Sequence, residues 1–286
     1  MIKVRQNLRK VATIALCLAG SATMFAQNTA TEDEGVVING VKWATRNLDV
    51  GGTFVENPED YGALFQWGRK ADGHESRTSA ITNVVSTTDT PNHDNFIIAG
   101  SVSGSDWRSP HNNALWNVGT ETAPVKAAND PSPSGWRVPT DTEMRKLLDK
   151  SKVDIMSDKG GYVFTDKATG ASLFLPAAGN RFCSSGNLSN RGEYWSSSSY
   201  GSSESYYVYF AVTGPLMNSQ GSRADGRSVR PVAESGNVGI NTISGDTENA
   251  IVIGYFDILG RKLPEEPKQG FYIIRYSNGT SEKVVK

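Results

Sequence analysis

The chain has 286 residues, with 29 Lys and Arg against 30 Asp and Glu, and 37% of it is hydrophobic. A balance this close to neutral leaves no basic patch of the kind a nucleic-acid partner requires. The length suffices for one sizeable domain plus a small one.

The chain opens on a targeting pattern. Lys3, Arg5, Arg9 and Lys10 form a basic region, residues 11–22 are apolar, and Ala26 precedes a cleavage point. Residues 1–26 are therefore read as a signal peptide. The apolar run is shorter than the about 20 residues a membrane span needs, so no transmembrane segment is expected once it is removed. Removal makes the mature chain mildly acidic and takes Cys17 with it, leaving Cys183 without an intramolecular partner. Residues 27–35 read as a disordered N-terminal segment, 36–233 as the main domain, 234–249 as a linker and 250–286 as a small β-module.

Within the main domain, the run from Asp130 through Pro131, Pro133 and Trp136 to Glu143 is the richest local signal. The prolines bias their neighbours toward extended backbone. Thr140 and Glu143 then fit a capping box, with Met144, Leu147 and Leu148 on one apolar face, which predicts a helix. Pattern-based helices are otherwise scarce. Alternating aromatic runs such as residues 206–212 predict strands. In the last fifty residues, 250–258, 270–276 and 281–285 alternate as strands, with Asn278-Gly279 as a hairpin turn.

The candidate chemistry is thin. His74, His93 and His111 are far apart on polar sequence with no zinc-like spacing beside them, and are expected at the surface. A lone Cys183 needs a neighbouring base to act as a nucleophile, and is expected to be inert. Nothing like a Gly-x-Ser-x-Gly elbow supports a hydrolase triad. Asp89, Asp94, Asp106 and Asp130 lack the spacing of a calcium loop. No catalytic residue, metal ligand or cofactor is assigned, with a structural calcium ion left open. Residues 184–207 hold ten Ser and four Tyr, a composition like that of a paratope.

Several blocks occur in order: Trp43-Ala-Thr-Arg-Asn47-Leu48, Tyr61 to Gly68, Gly135-Trp136-Arg137-Val138-Pro139, Phe174 to Arg181, Tyr194-Trp195-Ser196, and Gly226 to Val232 with Arg230. Together they resemble the Fibrobacter succinogenes major paralogous domain family over roughly residues 36–233. The resemblance implies an α+β fold of C-type-lectin-like kind, with few helices and small antiparallel sheets supporting long loops. It places Trp43, Trp67, Trp136, Trp195, Arg137, Pro139 and Arg230 in the structural core. Relatives carry cysteines where Ser132 and Pro231 stand, so a disulfide of the family is absent here. The sugar-binding triplets of calcium-dependent lectins are absent, and so is the cysteine pair of formylglycine-generating enzymes.

By the same resemblance the ligand surface is sought late in the domain, at Tyr194, Ser198, Tyr200, Tyr206, Asn218 and Arg223. Trp107 and Trp116 lie outside the family blocks. They suit either sugar stacking or the pinning of a long insertion. The C-terminal order, with Leu259-Gly260-Arg261-Lys262 between two strands, resembles a type IX secretion sorting domain, which implies secretion machinery as a partner. The expectation is an exported adhesin-like protein at the cell surface, binding a glycan or a surface protein and not an enzyme. A fimbrial or surface-layer subunit is the alternative, and a formylglycine-generating-type enzyme the second.

Overall fold

A computed structural model describes residues 30–100, 105–158, 160–211, 216–234, 252–257, 261–276 and 281–285. The signal peptide, residues 235–249 of the linker and the turn at Asn278-Gly279 lie outside them.

Among the described residues one α-helix forms, α1 (Asp141–Leu147), together with a short 3-10 turn at Val50–Gly52. The capping box starts α1. Glu143 N–H donates to Thr140 Oγ1 at 3.3 Å, and Thr140 N–H donates to Glu143 Oε2 at 2.8 Å. Arg137 donates to the same carboxylate at 2.8 and 2.6 Å, clamping the approach to the helix. Met144 and Leu147 face inward and are buried.

The remainder is small sheets, nearly all antiparallel. β1 (Val36–Ile38), β2 (Val41–Trp43), β6 (Trp136–Arg137) and β15 (Val232–Ala233) form one sheet in the order β1-β2-β15-β6, which joins the two ends of the domain. β3 (Phe65–Gln66), β10 (Asn180–Arg181) and β14 (Gly226–Arg227) form another, with β14 central. β4 (Ile81–Thr82) and β5 (Phe96–Ile97) pair in parallel. β7 (Val153–Asp158), β8 (Gly161–Asp166) and β9 (Ser172–Pro176) form a meander. So do β11 (Gly192–Tyr200), β12 (Glu204–Phe210) and β13 (Leu216–Ser222). The C-terminal sheet runs β17-β16-β18-β19, from β16 (Val252–Phe256), β17 (Lys262–Leu263), β18 (Phe271–Tyr276) and β19 (Ser281–Val285). The architecture is sheet-rich α+β.

The cores follow from this layout. α1 packs on β11 and β12, and Met144 and Leu147 meet Val208, Phe210, Tyr162 and Tyr194 in the first cluster. Gly192 lies against the Phe210 ring, where an added Cβ would sit 2.1 Å from ring carbons, so only glycine admits that packing. A second cluster holds Trp67, Trp116, Trp136 and Trp195, and a third holds Trp107, Leu115 and Cys183.

Residues 30–35, expected to be disordered, are tied to the domain instead. Phe54 N–H donates to Ala30 O, and the buried Asp33 carboxylate accepts from Gly35 N–H, Thr45 and Arg46. A buried guanidinium needs a counter-charge, and Asp33 supplies it from outside the expected domain boundary.

Candidate functional site

Residues 184–191 form an exposed polar loop as their composition suggests, but the rest of the span 184–207 does not. From Gly192 onward the chain is a hairpin, and every residue from Gly192 to Ser198 on β11 is buried. Tyr194 is fully buried. Its hydroxyl donates to Pro176 O at 2.6 Å and accepts from Asn47 at 3.3 Å, and burial pushes its pKa up to about 12. It is therefore a core residue, not a ligand contact. Ser198 is also enclosed: its hydroxyl accepts from Asp141 N–H at 2.7 Å and donates to Glu121.

Trp107 and Trp116 are also removed from any ligand. Both are buried, and each indole N–H donates to a main-chain carbonyl of the segment after β3: Trp107 to Trp67 O at 2.7 Å, Trp116 to Arg69 O at 3.2 Å. Trp67 and Trp195 do the same to Ser196 O and Phe65 O, both at 2.8 Å. The indoles thereby pin the long insertion to the sheets, because a buried N–H must find an acceptor. Arg223 belongs to the same framework. Its guanidinium stacks on Trp67 at 4.4 Å, and it donates to Glu204 O and to Asn113 Oδ1, 3.1 and 2.6 Å away. Asn113 in turn donates to Gly201 O, which fastens the β11–β12 turn to the insertion. Trp43, Trp67, Trp136, Trp195, Arg137, Pro139 and Arg230 are all buried.

Tyr200, Tyr206 and Asn218 stay at the surface, and the sheet brings them together. The β12–β13 register sets Tyr206 opposite Gln220 and Val208 opposite Asn218, while Tyr200 lies opposite Glu204. Directly opposed and alternate residues share a face, so all of these look to the α1 side of the sheet. Tyr200 is 43% exposed and meets Tyr206 edge-to-face at 5.2 Å. Arg145 of α1 reaches over the Tyr206 ring at 5.9 Å and donates to Asp141 at 2.7 Å. Asn218 donates to the other Asp141 oxygen at 2.6 Å. Glu121 closes the group by accepting from Thr142 N–H and Ser198. Arg145, Asp141 and Glu121 went unread in the sequence, since no local pattern places them beside β12. Two aromatic rings bordered by a cation, carboxylates and amides can stack on and hydrogen-bond a polar ligand.

The titratable clusters elsewhere are internally engaged. Asp72, His74 and Glu75 have ligand-type atoms within 4.8 Å of one another. Gln66 N–H donates to His74 Nε2 at 2.9 Å, which leaves the proton on Nδ1 facing Asp72 at 2.8 Å. Glu75 accepts from Gly51 and Gly73 N–H, and Asp72 also pairs with Arg69. Both imidazole nitrogens are engaged, so the trio forms a hydrogen-bonded network around a neutral His74. His74 is fully buried, contrary to the expected surface position, because these partners replace its hydration. His111 instead is 40% exposed in its side chain, with Nδ1 3.0 Å from Asp106. No hydroxyl is hydrogen-bonded to its other nitrogen among the described residues, so no triad is assembled there.

The four aspartates considered for calcium do not converge. Asp89 pairs with Arg108, Asp106 with His111 and Arg223, and Asp130 accepts from Ser132 and Val138 N–H. Asp94 packs against Gly73. Cys183 is buried, and burial and the neighbouring Asp225 carboxylate push its thiol up to about 12.

Against family models, curated proteins and solved structures, the chain finds no match.

Proposed function

We propose that this chain is an exported cell-surface binding protein of C-type-lectin-like fold that engages a glycan or a surface protein through the Tyr200–Tyr206 patch. The reading rests on the motif blocks that resemble the major paralogous domain family and on one observation of the site. The Tyr200–Tyr206 pair stays at the surface beside Arg145 and Gln220, whereas Tyr194, Trp107 and Trp116 are buried. The one α-helix among the described residues, the small sheets and the pinned insertion support the lectin-like comparison. The antiparallel C-terminal sheet supports a separate module of sorting type, with secretion machinery as its partner. No helix among the described residues is long and apolar enough to cross a membrane.

A glycan-array screen of the purified protein, with and without calcium, tests this. Saturable binding lost in the double variant Tyr200→Ala/Tyr206→Ala is the expected result. Binding to neither glycans nor envelope proteins in a pull-down rejects the patch as a ligand surface.

A further inference from the structure

The segment leading into β6 holds more main-chain acceptors than donors. Pro131 and Pro133 have no N–H to offer. Ser132 N–H is taken by the Asp130 carboxylate, and Trp136 N–H by Pro133 O. β6 stands at one end of its sheet, and Glu234 N–H donates to Gly135 O. Bonding residues alternate in an antiparallel ladder, so Trp136 turns its carbonyl away from β15. Ser132, Pro133 and Trp136 are all buried, and buried carbonyls need donors.

Lys126 supplies those donors from one atom. Its Nζ donates to Ser132 O at 2.6 Å, to Pro133 O at 2.9 Å and to Trp136 O at 2.7 Å. An ammonium has three N–H bonds, and the three carbonyls take them all. Glu234 stands farther off, with Oε1 at 3.8 Å. Burial raises the Asp130 carboxyl to about 6, and the Lys126 charge is the largest influence opposing that rise. The Lys126 side chain is 21% exposed, so the enclosure keeps a mouth to solvent.

We propose that the Ser132, Pro133 and Trp136 carbonyls form a binding site for a monovalent cation, in which the Lys126 ammonium is the resident ion. Rings of backbone carbonyls replace the hydration shell of potassium in channel filters, and the same acceptors hold an ammonium. Calcium does not suit the site. That ion takes six to eight oxygens at about 2.3–2.6 Å, with carboxylates among them. Here the acceptors are neutral and stand 2.6–2.9 Å from the cation. The Asp130 oxygens are already engaged by Ser132 and Val138 N–H.

The tether gives the resident ion its purpose. Lys126 lies at the base of a hairpin, where Asn117 bridges Lys126 and Val118 N–H donates to Val125 O. At the other end of that hairpin, Glu121 accepts from Thr142 N–H and Ser198. The lysine therefore fastens the insertion to the edge of β6, while Glu121 fastens it to α1 and β11. A free ion in the site would satisfy the carbonyls without fastening the hairpin. The site does not rest on the ligand reading of the Tyr200–Tyr206 patch, and either can fail alone.

Chemical rescue tests it. In tetramethylammonium chloride, whose cation is bulky and has no N–H, Lys126→Ala is expected to unfold at a lower temperature than the wild type. Potassium chloride and propylammonium chloride, at the same ionic strength, are expected to raise the variant's midpoint by more than the wild type's. Lys126→Met, whose apolar side chain fills the site, is expected to be lowered without that recovery. A Lys126→Ala midpoint equal to the wild type's, recovery in neither salt, or recovery in calcium chloride alone would overturn the proposal. Acetylation of the wild-type protein, read by mass spectrometry, needs no substitution. The exposed Lys146 and Lys150 are expected to react in the native state, and Lys126 only after unfolding. Native acetylation of Lys126 as fast as theirs counts against a resident, fully bonded ammonium.

Discussion

The Arg227 guanidinium stacks on the Trp195 ring with 4.1 Å to its centroid, deep inside the domain. The Tyr207 ring, edge-to-face with Trp195, lies 3.9 Å from the same cation, and Glu193 and Asp225 pair with it at 2.6 and 3.0 Å. β14, β11 and β12 are joined through this one side chain, since its partners come from all three. Removing it leaves Glu193 buried without its cation. Arg227→Met is expected to destabilise the domain by about 3–5 kcal/mol, read as a lowered midpoint in urea unfolding.

The tryptophans of the insertion and the tyrosines of the patch should separate in a stability assay. Trp107→Ala opens a cavity and orphans Trp67 O, and is expected to cost about 3–5 kcal/mol. Tyr200→Ala removes a half-exposed ring and is expected to change stability by less than about 0.5 kcal/mol. Thermal unfolding of both variants checks this. Equal losses would mean that Tyr200 is a structural residue.

Acid should weaken the fold through His74. Burial, the largest cause, lowers its folded pKa below the ordinary 6.5, and Arg69 adds to that, while Asp72 and Glu75 oppose. The unfolded chain takes up a proton near 6.5 that the folded imidazole refuses. Stability from this group is therefore full above that pH and declines as the pH falls below it. Asp130 acts in the opposite sense: burial raises its carboxyl to about 6, so its contribution is present below 3.8 and lost as pH rises through 6. The comparison of wild type with His74→Gln isolates the histidine. Between pH 6.5 and about 5 the variant is expected to lose less stability on acidification than the wild type.

Cys183 should be silent in the native state. With its thiol pushed up to about 12 and its side chain buried, almost no thiolate is present at neutral pH. Alkylation by iodoacetamide at pH 7.5 is expected only after denaturant is added. Rapid native labelling would show that the third core cluster opens readily.

The helix at residues 141–147 was legible because its signal is local. Thr140 and Glu143 bond each other across one turn, and Met144 and Leu147 follow at helical spacing, so nothing distant is needed to specify it. The alternation of Tyr206 to Phe210 set a strand in the same way, since its two-residue period divides Val208 and Phe210 from Tyr207 and Tyr209. The scarcity of other helices already indicated a sheet-rich domain.

The fate of the polar and aromatic residues was a tertiary decision. Ser196, Ser197 and Ser198 have the composition of an adaptable loop, yet they are buried on β11. Ser198 is satisfied by Asp141, 57 positions away in the chain, and by Glu121, 77 away. Trp107 and Trp116 read equally well as sugar platforms or as pins until the carbonyls of Trp67 and Arg69 came to meet their N–H groups. Arg223 likewise became framework once Trp67 and Asn113 closed around it. The sequence by itself determined the period and caps of single elements, because those depend on neighbours within a few residues. Which hydroxyl, indole or guanidinium meets solvent depends on partners from distant segments, and only the folded chain brings them within hydrogen-bonding reach.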